Sequence, residues 1–279
     1  MRKIICLLMI ILSLTGCASF LKVDEDKVKD VSDKITETLI NTVGQEEAEK
    51  QDSQTVESSD KDTLSLISSV GDISIITHQS NDTIINICIN SKAGSKEKAE
   101  EIIENYTYTV NTENNSIFVD ASFEEPLSGI NLTTDLVIYI PLTIKDIKVS
   151  HNVGDIHLSD VSGSINLKNN VGEITVDKSE GSYNINVDVG EITLRDCTAV
   201  GNSEFKTNTG EIDVSFTDIS EASNITAETG VGNIEMSLND DAGYHAVINE
   251  FMKDERIETK NNQNTNISLT TNVGEIDFN

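Results

Sequence analysis

The sequence predicts an all-β chain folded as a β-solenoid, a stack of repeats about 18–22 residues long, and three observations predict it. A motif, [Asn/Asp/Ser/Gly]-[Val/Thr]-Gly-[Asp/Glu/Asn]-Ile, recurs seven times. A weaker strand-like run sits midway between consecutive copies, and apolar residues alternate at a period of two within each unit. A unit this short cannot bury its own apolar face, whereas stacked units bury one another's.

The elements follow from the N-terminus. Arg2 and Lys3 precede the unbroken apolar run Ile4–Leu12, which is shorter than the ~20 residues of a spanning helix and has the form of a secretory signal peptide, residues 1–16. The run closes on Leu14-Thr15-Gly16-Cys17, which resembles a bacterial lipobox (14–17) with Cys17 as the lipidated first residue of the mature chain. Two acyl chains, at ~0.8 kcal/mol per buried CH₂, suffice to hold a protein on a membrane. Residues 17–62 then read as a lipidated N-terminus, a short amphipathic helix and an acidic linker. Val28, Val31, Ile35 and Leu39 recur at helical spacing among charged residues. From Gly44 to Asp62 only Ala48 and Val56 are apolar, which predicts a solvated linker.

From Thr63 the texture changes to short alternating runs, and residues 63–279 read as the folded domain. Its N-terminal part, 63–141, holds strands at Leu64–Ile67, Ile73–Ile75, Ile84–Ile89 and Ser116–Val119. One helix interrupts them over residues 96–106, with Ser95 as N-cap and Ala99, Ile102, Ile103 and Tyr106 on one face. Leu136, Ile138 and Ile140 end at Pro141, which lacks a ladder donor and marks a strand end or an edge.

The regular repeats fill 142–279. The motif glycines are Gly71, Gly154, Gly172, Gly190, Gly210, Gly232 and Gly274, spaced from Gly154 by 18, 18, 20, 22 and 42 residues. Ile156 and Leu158, Ile174 and Val176, Ile192 and Leu194, Ile212 and Val214, and Ile234 and Met236 are predicted to point inward, with His157, Thr175 and Thr193 facing solvent. Glycine before an acid suits a corner that needs positive φ. Asn152, Asn170, Asn208 and Asn272 are placed to stack as an amide ladder. Asn239–Gln263 departs from the array and reads as a loop or an irregular rung. The chain stops shortly after Ile276, leaving an edge to be paired or blunted by charge.

In-register stacking also aligns Asp155, Glu173, Glu191, Glu211 and Glu275, a column that suggests calcium or another cation as ligand. Two charges ~4.8 Å apart in water repel by only ~0.9 kcal/mol, so a solvated face tolerates the column without an ion, and a structural ladder is the preferred reading. The doubled glycines of calcium-binding β-roll nonapeptides are missing, and no cofactor is expected.

Charge and composition exclude several functions. The chain carries 20 Lys+Arg against 48 Asp+Glu, a formal net charge of -28. That argues against nucleic acid, whose phosphates require a basic surface. His78, His151, His157 and His245 sit singly and are read as surface strand or turn residues, with no nucleophile–base pair, so the chain is expected not to be an enzyme. Cys88 and Cys197 leave one bridge open and no disulfide framework. Aromatic content of 4% without Trp leaves little for a carbohydrate-stacking platform.

The run Asp135-Leu136-Val137-Ile138-Tyr139-Ile140-Pro141, followed by Gly-[Asp/Glu]-Ile repeats from Gly154 to Gly274, resembles the bacterial "putative adhesin" family of β-strand-repeat domains. The resemblance covers roughly Leu64 to Asn279 and implies a right-handed β-solenoid in a cell-envelope protein, with no catalytic residues to carry over. The expectation is a non-catalytic surface lipoprotein, held outside the cytoplasm by lipid on Cys17, that presents its solenoid to a protein or surface partner. The alternatives are an envelope-homeostasis or stress-regulatory component binding a membrane protein, and cation binding by the carboxylate ladder.

Overall fold

A computed structural model describes residues 46–123, 131–239, 241, 243–250, 253–261 and 265–279. The signal peptide, Cys17 and the Val28–Leu39 segment lie outside the described residues. Glu46–Asn279 forms one compact unit.

The unit opens with β1 (Glu46–Glu57), β2 (Thr63–Val70), β3 (Ile73–His78) and β4 (Asp82–Ala93), followed by helix α1 (Lys96–Asn105), β5 (Thr109–Glu113), β6 (Ser116–Ala121) and β7 (Asn131–Pro141). The repeats supply β8 (Asp146–Val153), β9 (Ile156–Ser159), β10 (Ser162–Val171), β11 (Ile174–Asp177), β12 (Glu180–Val189), β13 (Ile192–Thr209), β14 (Ile212–Val231) and β15 (Ile234–Leu238). A hairpin of β16 (Tyr244–Glu250) and β17 (Arg256–Lys260) precedes β18 (Thr265–Thr271) and β19 (Ile276–Phe278).

Two parallel ladders run through these strands. On one face β6, β2, β8, β10, β12, the second half of β13, the second half of β14 and β18 pair in that order. On the other, β7, β3, β9, β11, the start of β13, the start of β14, β15 and β19 pair in register. The long strands β13 and β14 turn from one face into the other, joining the ladders into one open β-solenoid-like stack. The first repeat in the chain is not at the end of this stack. Layer β2–β3 lies between β6–β7 and β8–β9, because strands β4, β5, β6 and β7 build the N-terminal end before the chain returns at β8.

The inward pairs are buried as their alternation requires: Ile156, Leu158, Ile174, Val176, Ile192, Leu194, Ile212, Val214, Ile234 and Met236 belong to the core. Aromatic rings fill the interior where β12, β13 and β14 stack. Tyr183, Phe205 and Phe216 meet at centroid separations of 6.1–6.2 Å. Thr193 departs from expectation: it stands on the outer side, in register between Thr175 and Asp213, yet is buried.

The acidic stretch expected to be a solvated linker is in part a strand. β1 pairs antiparallel with β4 over twelve residues, from Glu46↔Ala93 to Glu57↔Asp82, and Ala48 and Val56 pack against the core. Backbone pairing with a long edge outweighs the unfavourable composition, and a strand exposed on one side tolerates the acids. Helix α1 packs on β1 and β4. Ser95 caps it, its Oγ accepting from Lys98 N at 3.4 Å, and Ala99 and Ile103 are buried.

The irregular segment forms the other end. β16 pairs parallel with β18 and antiparallel with β17, and Tyr244 meets Phe278 edge-on at 5.1 Å. Glu250 Oε1 accepts from Ile276 N at 2.7 Å, so a carboxylate blunts that part of the β19 edge.

Candidate interaction surface

The repeat motif builds one corner of the stack, and its geometry explains each position. At Gly190 φ is +147°, and a Cβ there would stand 2.0 Å from the carbonyl oxygen of Gly172 in the layer below. The layers therefore meet backbone to backbone at this corner, and glycine is required both for φ and for space. Gly190 N donates to Thr209 O at 2.9 Å, and Ile192 N to Glu211 O at 2.9 Å, so the parallel ladder continues through the turn.

Three residues before each glycine lies an interior column, polar except at Val187: Ser68, His151, Asn169, Val187, Thr207, Thr229 and Thr271, all buried. Asn169 Nδ2 donates to Gly154 O at 2.8 Å, and Thr207, Thr229 and Thr271 donate to the glycine carbonyl of the adjacent layer at 2.9–3.1 Å. His151 belongs to this column rather than to the surface assigned to it from sequence. It is 1% exposed, with Nδ1 3.3 Å from Ser68 O, and burial pushes its pKa below the ordinary histidine value. The alternation that placed it was legible, but its polar type suggested an outward position.

Two residues before the glycine, Asn170 Nδ2 donates to Asn152 Oδ1 at 3.1 Å, whereas Asn208 bonds Asp188 at 3.3 Å and Gly230 separates Asn208 from Asn272. The expected amide ladder is thus a single rung. A second amide column, unforeseen, runs Asn202–Asn224–Asn266 at 2.8 and 3.3 Å, because loop insertions bring these three into register.

The residue just before the glycine forms the feature that sequence reasoning missed. Val70, Val153, Val171, Val189, Thr209, Val231 and Val273 follow one another along the corner, in register wherever their strands pair. Five of them are 43–56% exposed: Val153, Val171, Val189, Val231 and Val273. The available signal was valine repeated between a residue that is polar in all but one copy and the corner glycine.

Just after the glycine stand the acids. Asp155, Glu173, Glu191, Glu211 and Glu275 do form one line, extended by Asp72 and interrupted by Asn233, but their shorter members serve the backbone. Asp72 Oδ1 accepts from Asp155 N at 3.0 Å, Asp155 Oδ1 from Glu173 N at 2.8 Å, and Asn233 Oδ1 from Glu275 N at 3.0 Å. Among the described residues no three His, Cys, Asp or Glu side chains converge to hold a metal ion. The carboxylates succeed one another along the stack instead of facing a common centre.

The histidines are dispersed. His78 Nε2 lies 2.6 Å from Asp82 O, His157 is 3.8 Å from Asp177 on the outer face, and His245 pairs at Asn266 on the C-terminal hairpin. Cys88 and Cys197 are both free thiols, one on β4 and one buried in β13, where burial raises its pKa. The outer face of β2, β8, β10 and β12 carries a shallow concavity of about 600 Å³, lined by Ser65, Lys148, Ser150, Asn166, Lys168 and Asn184 among others.

The model of the Toastrack DUF4097 family matches residues 120–278, more than half of the chain. The chain belongs to the Toastrack DUF4097 family. The matched segment begins in β6 and runs through every regular repeat, so this Toastrack domain contains the whole glycine corner except Gly71. No curated protein matches the chain. Solved structures similar to it include a "putative cell adhesion protein" of Clostridium sporogenes, at 14% identity and a TM-score of 0.33 over 83% of this chain and 99% of that one. A "putative adhesin" of Bacteroides fragilis has 15% identity and a TM-score of 0.38 over 82% and 97%, and a "putative lipid binding protein" of Parabacteroides distasonis 11% and 0.29 over 82% and 96%.

Proposed function

We propose that this Toastrack protein is a non-catalytic bacterial lipoprotein, anchored outside the cytoplasm by lipid on Cys17, whose β-stack presents a repeating surface to a protein or surface partner. The observation that carries the reading is the corner itself. One motif places the same outward side chains in layer after layer, while the histidines and free thiols stay apart. Repetition of that kind suits a long linear contact, whereas catalysis needs a few different groups gathered around one reacting atom. The lipobox Leu14–Cys17 supports the anchor, and no helix among the described residues is long and apolar enough to cross a membrane.

The test separates anchor from display. Cells producing Cys17→Ala are expected to lose acyl labelling of the protein and to release it from the membrane fraction. Cells whose protein stops after residue 45 are expected to keep the label and to lose attachment or envelope phenotypes that the full chain supports. Attachment and envelope phenotypes unchanged by that truncation would refute the display reading.

A further inference from the structure

We infer that the valine rib and the carboxylate line beside it form a docking line for a cationic amphipathic helix of a partner protein. The inference rests on the display reading and says which part of the stack is contacted and by what chemistry.

Exposed valine is not required by the backbone. A residue in extended conformation before the corner glycine favours β-branching, and threonine supplies that as well as valine does. Thr209 occupies this position in one layer, with its strand paired to Val189 and Val231 on either side, so the corner accepts threonine. Valine nevertheless fills the other six layers, and five of those side chains are about half exposed. Apolar surface repeated in a line where a polar isostere fits marks a surface that becomes covered.

Charge selects the occupant. The acids Asp72, Asp155, Glu173, Glu191, Glu211 and Glu275 run parallel to the rib, one glycine away, and all but Glu173 are exposed. A second copy of the chain would bring an identical carboxylate line, on a molecule of net charge -28, against this one. The chain's own residues 18–45 carry four Lys against six Asp and Glu and are repelled as well. A segment with apolar residues bordered by Lys or Arg meets both columns.

Spacing selects its form. Layers repeat every ~4.8 Å, and a helix returns a side chain to the same face every ~5.4 Å, so over six layer steps the two fall out of step by only ~4 Å. A β-strand presents one face every ~6.7 Å and drifts by ~11 Å over the same length. A helix of ~18 residues, ~27 Å long, spans the ~29 Å from Val70 to Val273.

The experiment titrates the purified full-length protein, with its valine methyls ¹³C-labelled, with a synthetic ~18-residue Leu/Lys amphipathic helix and with a scrambled peptide of the same composition. Saturable binding of the amphipathic peptide is expected, weakened by salt, with methyl shifts concentrated on Val153, Val171, Val189, Val231 and Val273. The scramble is expected to bind at least about tenfold more weakly. The triple exchange Val171→Thr, Val189→Thr and Val231→Thr should weaken binding roughly tenfold. Should the triple variant be unstable, Val231→Thr alone, next to Thr209, should weaken it about threefold. Equal affinity for the scramble, undiminished binding by the threonine variants, or methyl shifts centred away from the rib would each overturn the proposal. Such a result in a protein whose truncation still abolishes attachment overturns the rib and leaves the display reading standing. Unchanged attachment in the truncation assay is the separate failure of that reading.

Discussion

Gly190 carries two constraints at once, a φ of +147° and a neighbouring carbonyl 2.0 Å from where a Cβ would be. Gly190→Ala is expected to destabilise by at least about 3 kcal/mol in chemical denaturation, since strained φ and a backbone displacement add. Gly94→Ala, with nothing within 4 Å of the added carbon, should stay within about 0.5 kcal/mol. His151 gives the stack a dependence on pH. Its folded pKa lies below the unfolded value of about 6.5, so the unfolded chain binds the proton more readily. The neutral ring's contribution is present above pH ~6.5 and is lost as pH falls below it, at no more than about 1.4 kcal/mol per pH unit. His151→Asn, which reproduces the neighbouring Asn169, should flatten the stability profile below pH ~6.5. A stability curve of equal slope in both proteins would show that His151 does not titrate on unfolding.

At the scale of elements, the inward pairs, the helix and the glycine corners were legible, because each is set by local alternation, a cap or a backbone requirement. β1 was not, since its partner β4 is distant in sequence and its own composition is that of a solvated segment. Ala48 and Val56, eight residues apart, were a trace of the pairing too sparse to separate from chance. Val56→Asp is expected to loosen β1 and raise hydrogen exchange at the amides of Ile85 and Ile87 by an order of magnitude or more, with little change in β8–β14. Uniform exchange across β4 in both proteins would mean that β1 does not protect it. Inside the repeats, Phe205 is fully buried against Tyr183 and Phe216. Phe205→Ala should lower stability by about 3–5 kcal/mol in a denaturant titration, the usual range for a large aromatic removed from a packed core. A loss under about 1 kcal/mol would show that neighbouring layers close the cavity.

Across the whole molecule, chain order and stack order differ at the N-terminal end. A repeat reader places Gly71 far from Gly154 because 83 residues separate them, yet the two glycines are stacked. Strands β4 to β7 build an end with its own helix, and no local signal in the sequence states which side of the first layer the returning β8 will take. The interaction surface was likewise half legible. The carboxylate column could be written down from the motif, but exposure of the valines depended on knowing that the corner turns outward. Parallel like charges should make stability rise with added salt, most steeply below ~0.1 M where screening is weak. The measurement that bears most directly on a display role is saturation binding of the labelled protein to intact cells and isolated envelope fractions, in calcium and in chelator. A single saturable isotherm, the same in both conditions, is predicted; uptake that never saturates, or binding that disappears in chelator, would contradict it.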